Sequence, residues 1–119
     1  AASGLFQIIG HADLPKKFGH RPTRDCTPLY LNFLAACEST GACIELNTTG
    51  LRKDCAEIYP NLEFLKLAKS GHVQITFGSD AHATHEVGMN LEEAVTLAHE
   101  AGYEQCCRFT GREQTVVDM

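Results

Sequence analysis

The chain has 119 residues, 44% of them hydrophobic, and a formal net charge of -5 at pH 7. That length allows one small domain with a modest core. The acidic balance, with no lysine–arginine cluster, argues against a nucleic-acid backbone as partner, and no apolar run approaches the length of a membrane span.

Leu5-Phe6-Gln7-Ile8-Ile9 reads as a short, mostly apolar strand, followed by Gly10-His11-Ala12-Asp13. A histidine just beyond a buried strand stands where a ligand would. The polar stretch 15–27 is longer than an ordinary connection, which marks a functional or partly mobile loop. Its cations Lys16, Lys17, Arg21 and Arg24 read as solvated. Thr27-Pro28 predicts a helix start, with threonine as N-cap and proline in the first turn, for a helix over 29–38 that Gly41 breaks.

Ala42-Cys43-Ile44-Glu45-Leu46 predicts the second strand. Glu45 and Asn47 share one face, opposite Ile44 and Leu46. A carboxylate inside an apolar strand is costly unless paired or metal-bound, and a wet face on an edge strand is the alternative. Thr48-Thr49-Gly50-Leu51-Arg52-Lys53 is a turn carrying two cations. Asn61 is placed to cap a helix over 62–70, ended by Gly71.

The run 73–77 predicts a third strand leading into Gly78-Ser79-Asp80-Ala81-His82. Asp80 and His82 pair a hard anionic ligand type with a neutral nitrogen one. On extended backbone their side chains leave on the same side. A capping aspartate beside a surface histidine is the alternative. Asn90-Leu91-Glu92-Glu93 resembles a capping box with asparagine in the first place, and Gly102 closes the helix it opens. Residues 105–109 predict a fourth strand, and Thr115-Val116-Val117 in the tail is left undecided. His20, His72, His85 and His99 read as solvated or structural.

Six cysteines, Cys26, Cys37, Cys43, Cys55, Cys106 and Cys107, include no CxxC pair. They read as reduced thiols in helix, strand and loop, which places the chain in the cytoplasm. Their even number keeps a disulfide framework as the alternative.

Strands alternating with helices predict a parallel sheet with helices outside. His11, Glu45, Asn47, Asp80 and His82 all fall toward the C-terminal ends of their strands, the rim where such folds bind ligands. A nitrogen-and-carboxylate set without thiolates suits zinc, manganese or iron in a hydrolytic site.

Three stretches then carry a resemblance: Gly10-His11-Ala12-Asp13-Leu14, Glu45 through Lys53, and Gly78-Ser79-Asp80-Ala81-His82. With Glu57-Ile58-Tyr59-Pro60, Val87-Gly88 and the Asn90 helix, they resemble, in order, the C-terminal part of the histidinol-phosphatases of the polymerase-and-histidinol-phosphatase superfamily. The resemblance implies that residues 1–119 are the C-terminal half of a distorted (β/α)7 TIM-like barrel, with parallel strands and outer helices. It implies a divalent metal cluster of zinc, manganese or iron at the rim of the intact enzyme. His11, Asp80 and His82 would be metal ligands, with Asp80 and His82 catalytic. Arg52 and Asn47 would bind substrate phosphate. Glu45 would be a rim residue, and Asp13 would either support a ligand histidine or cap a loop. The implied reaction is hydrolysis of L-histidinol phosphate. Another phosphoesterase of the superfamily, or an inactive fragment or interaction domain, is the alternative.

Nothing here matches that family's opening His-x-His motif or the histidine and glutamate ligands that follow it. The chain also starts Ala1-Ala2-Ser3-Gly4, without a methionine. A piece of a longer enzyme is therefore expected, binding at most one metal weakly and turning over little phosphoester. An open strand edge at 5–9 would pair with the missing N-terminal half or with a second copy.

Overall fold

A computed structural model describes all 119 residues. Strands β1 (Ile8–Ile9), β2 (Cys43–Asn47) and β3 (Ile75–Gly78) form a parallel sheet in that order. Helices α1 (Thr27–Thr40) and α2 (Leu62–Ser70) lie in the crossovers, and α3 (Leu91–Glu100) follows β3. Each strand lies beside its predecessor, as the alternation of elements predicts.

The register pairs Ile9 with Ile44, Ile44 with Ile75, Glu45 with Thr76 and Asn47 with Gly78. Alternation along the strands sends Ile9, Ile44, Leu46 and Ile75 into apolar cores with the helices. It leaves Gly10, Glu45, Asn47, Thr76 and Gly78 on the opposite face. Because β2 is the central strand, Glu45 does not lie on an edge.

Local chemistry explains the helix ends. Asn61 caps α2 as expected, its Oδ1 accepting the Phe64 N–H at 2.9 Å. Phe64, Leu65 and Ala68 form the buried stripe of that helix. The α1 start differs from expectation: Thr27 is already helical, and the Asp25 side chain accepts its N–H at 2.8 Å. The Thr27 hydroxyl first, and this N–H second, lower the Asp25 pKa. Gly41 ends α1 in the left-handed region at φ 70°. Asn90 does not form the expected capping box. Its backbone is left-handed (φ 61°), and its side chain donates to Glu93 Oε1 at 2.8 Å instead of accepting a backbone N–H.

The expected first strand shrinks to Ile8–Ile9, and Leu5 and Phe6 are exposed. The expected fourth parallel strand is also corrected. Strand β4 (Gln105–Thr110) pairs antiparallel with β5 (Glu113–Asp118) in a separate two-stranded sheet. Gly111, left-handed at φ 62°, turns the chain straight back, so the nearest ladder partner of β4 is its own continuation. Strand β4 still abuts β3, with the Thr76 hydroxyl donating to the Cys107 carbonyl at 2.9 Å. The observed fold is thus an α/β domain with three parallel strands and an antiparallel hairpin. All six cysteines are free thiols. Burial pushes the Cys37, Cys43 and Cys106 thiols up. No helix is long and apolar enough to cross a membrane.

Candidate active site at the sheet rim

The C-terminal ends of β1, β2 and β3 bring His11, Glu45, Asn47 and Asp80 together. His11 Nε2 lies 3.2 Å from Asp80 Oδ2, across 69 residues of sequence. Both residues have left-handed backbones, φ 53° at His11 and φ 49° at Asp80. For residues other than glycine such a conformation costs about 1–3 kcal/mol each and persists where the surroundings enforce it.

Glu45 is set beneath this pair by two glycines. A methyl group at Gly78 would overlap Glu45 Oε1, and one at Gly10 would lie 3.0 Å from Oε2. The two neighbouring strands therefore leave a slot that only glycine keeps open. Asn47, fully buried, donates through Nδ2 to Glu45 Oε2 at 3.0 Å. Its Oδ1 accepts the Thr49 N–H at 3.0 Å and starts the 3-10 turn Thr48–Arg52. Both ends of the Asn47 amide are engaged within the chain, so here it organises the rim.

The loop after β3 is tied at several points. The Arg52 guanidinium donates to the Ser79 carbonyl at 2.8 Å and lies 3.7 Å from Glu86 Oε1. Glu86 Oε2 accepts the His82 N–H at 2.7 Å, which holds the Glu86 carboxyl below the usual range. Ser79 Oγ accepts the Gly88 N–H at 3.2 Å, and the Thr48 hydroxyl donates to the Met89 carbonyl at 2.7 Å. Arg52 Nη1 is buried without a partner.

A cavity of about 220 Å³ opens over the rim, lined by His11, Asp80, His82, Glu86, Tyr59, Thr49, Lys17 and Lys53 among others. It holds the three proposed ligands together with two lysines. The sequence reads Lys17 as solvated and gives Lys53 and Glu86 no role in a site. The only local signal was the placing of Glu86 four residues after His82. A larger cavity of about 530 Å³ lies against α2 and α3 and contains none of the candidate site residues.

Of the two readings of Asp13 the structure shows the capping one, and the reading of Lys16 as solvated is corrected. Asp13 supports no ligand histidine. Its Oδ2 takes the Lys16 ammonium at 2.8 Å and the Asn61 N–H at 3.0 Å. Lys16 is not solvated: its side chain is 5% exposed and also reaches the Ile58 carbonyl at 2.7 Å and Glu57 at 3.1 Å. Burial raises the Asp13 pKa against the lowering effect of Lys16. Arg21 pairs with Glu57 at 2.7 Å, and that hydrogen bond lowers the Glu57 pKa. This network pins the 3-10 turn Leu14–Phe18 to the loop before α2.

The donor set fits a metal in part. Two ligands about 2.1 Å from one ion at a tetrahedral or octahedral angle stand roughly 3.0–3.4 Å apart. The His11–Asp80 separation of 3.2 Å falls in that range. If Nε2 is the ligating atom, the ring proton sits on Nδ1, where Glu45 Oε2 is the acidic neighbour at 4.0 Å. His82 lines the same cavity but turns its Nδ1 back to the Asp80 carbonyl at 2.8 Å. No three histidine, cysteine, aspartate or glutamate donors converge into a metal-holding group. The chain thus supplies a ligand pair and a nearby third candidate, short of a complete set.

No protein-family model matches the chain. It is similar to a probable histidinol-phosphatase of Deinococcus radiodurans, 42% identical over 103 residues, which cover 86% of this chain and 38% of the relative. The histidinol-phosphatase of Bacillus subtilis is 34% identical over 103 residues, 82% of this chain and 35% of the relative. A probable histidinol-phosphatase of Schizosaccharomyces pombe is 28% identical over 110 residues, 84% of this chain and 35% of the relative. The chain therefore spans 35–38% of the length of the curated relatives it matches. It is a relative of the histidinol-phosphatases, matched along their C-terminal part.

Proposed function

We propose that the chain is the C-terminal part of a metal-dependent phosphoesterase of the polymerase-and-histidinol-phosphatase superfamily, acting on L-histidinol phosphate. The observation that carries this reading is the His11–Asp80 pair, held at 3.2 Å by two left-handed backbones at the sheet rim. The names of the relatives supply the substrate class. In this reading His11 and Asp80 hold a zinc, manganese or iron ion, with His82 joining from the cavity wall.

A bound divalent metal supplies positive charge to phosphoryl oxygens and acidifies a water. The chain's own residues do the rest. Glu45 Oε2, 4.0 Å from His11 Nδ1, would favour the ring proton on that nitrogen. Lys17 and Lys53, on the same cavity, attract the phosphate dianion and offset its charge. Arg52, engaged with Ser79 and Glu86, reaches the phosphate only by leaving those partners. The outer edge of β1 would pair with the segment that precedes this chain in the longer protein. Because the ligand set here is incomplete, the chain alone would bind one metal weakly and turn over little.

The test is a substrate panel on the longer protein loaded with zinc, manganese or iron, offering histidinol phosphate, an aryl phosphate and a single-stranded oligonucleotide. Preferential release of phosphate from histidinol phosphate supports the reading. Preference for the oligonucleotide replaces it with a nucleolytic member of the superfamily. No hydrolysis of any of the three refutes it.

A further inference from the structure

We propose that Arg52 and Glu86 are positioning residues that clamp the loop on either side of Asp80 and so hold its carboxylate toward His11. The resemblance implies a phosphate-binding role for Arg52; the geometry adds a loop-holding one. Arg52 does not line the rim cavity. Its Nη2 grips the carbonyl of Ser79, the residue before Asp80, at 2.8 Å. Glu86 grips the N–H of His82, two residues after Asp80, at 2.7 Å. The two side chains approach each other at 3.7 Å, closing the clamp behind the loop.

Asp80 needs such a device. Its backbone is left-handed at φ 49°, a region that aspartate enters more readily than most residues but still at a cost. Its own carboxylate offers little local support, since Oδ2 reaches across to His11. Arg52 fixes the peptide that enters Asp80, and Glu86 fixes the peptide between Ala81 and His82, so the short stretch of backbone between these two anchors has little room to relax. Released from either side, the loop returns toward right-handed backbone and Asp80 Oδ2 leaves His11 Nε2. The loop-holding role stands on these contacts alone. The consequence for metal rests on the function proposed above.

The experiment uses the isotope-labelled 119-residue chain and compares wild type with Glu86→Ala, Glu86→Gln and Arg52→Lys. Two quantities are read: hydrogen exchange at the His82 amide, and zinc affinity followed at the His11 ring. The expected result for Glu86→Ala is His82 exchange faster by about tenfold, the effect of one charge-assisted hydrogen bond. Exchange in β2 and the melting temperature stay unchanged. Glu86→Gln keeps an oxygen for the His82 N–H and gives an intermediate value. Arg52→Lys, which loses the reach to Ser79 and Glu86 together, also speeds His82 exchange. Zinc affinity at His11 falls in the same order.

Unchanged His82 exchange in Glu86→Ala, with the fold intact, overturns the clamp. If Glu86→Ala fails to fold, Glu86→Gln and Arg52→Lys decide on the same readout. Released His82 with undiminished zinc affinity overturns the claim that the clamp positions Asp80 for metal. Wild type that binds no zinc at His11, with His82 still responding to the substitutions, upholds the clamp and counts against the metal reading.

Discussion

Replacing Gly78 with alanine tests the slot that holds Glu45. The added methyl would overlap Glu45 Oε1 and lie 3.0 Å from Cδ and 3.3 Å from Cγ. Most long side chains would swing away at little cost. Glu45 is restrained: its side chain is 21% exposed, Oε2 accepts from Asn47 Nδ2 at 3.0 Å, and Gly10 closes the other flank. Relief therefore requires breaking the Asn47 bond or shifting β3, and overpacking of this kind costs about 1–3 kcal/mol. We expect a loss of roughly 2 kcal/mol by urea denaturation, read as a lower midpoint at unchanged slope. Gly10→Ala, whose methyl meets only Oε2 at 3.0 Å, should cost less than half as much. In a Glu45→Ala background the overlapping atoms are gone, and the Gly78→Ala penalty should vanish. An equal penalty in both backgrounds would refute the reasoning, since the strain would then lie in the backbone and not in the slot.

Other expectations rest on separate features. Lys16→Met leaves Asp13 buried without its cation and should cost about 3–5 kcal/mol by denaturation, most of it recovered when Asp13→Asn is added. Asn61→Ala removes the α2 cap and should cost about 1 kcal/mol in the same assay. The pH profile has two opposing parts. Glu57, held below the usual carboxylate range by Arg21, contributes stability that is present above its unfolded pKa and lost as pH falls through its lowered one. Asp13, raised by burial, acts oppositely: stability declines as pH rises from its unfolded value of 3.8 through its raised one. Glu57→Gln should therefore flatten the acid limb of stability against pH, and an unchanged limb would remove Glu57 as its source.

What the sequence reveals follows a physical division. Helix α2 and its Asn61 cap are legible because both are local: a capping side chain three residues before an N–H, then an apolar stripe. The shared face of Glu45 and Asn47 is legible because strand alternation is local too, and their side chains bond at 3.0 Å. Lys16 was misread because its burial comes from Asp13, Glu57 and Ile58, a neighbour and two residues from another loop. Asn90 was misread because its left-handed backbone is set by the turn before α3 and not by its side chain. The sequence reads Lys17 as solvated and gives Lys53 and Glu86 no role in a site, because only the packing of three loops brings them over one cavity. The hairpin of β4 and β5 was hidden behind a strand pattern that does not declare its pairing direction. The reason for glycine at 10 and 78 is not local: it is the Glu45 carboxylate of the strand between them.

The central claim, that the rim pair built on His11 and Asp80 is part of a metal-dependent phosphatase site, is tested most directly by one comparison. Metal content and histidinol phosphate hydrolysis are measured on the same preparation of the longer protein, wild type beside Asp80→Asn. The asparagine keeps the size and the tolerance for left-handed backbone but loses the anionic ligand. The account predicts that bound metal and turnover fall together while the fold is retained. An Asp80→Asn protein that keeps its full metal content and its rate would contradict it.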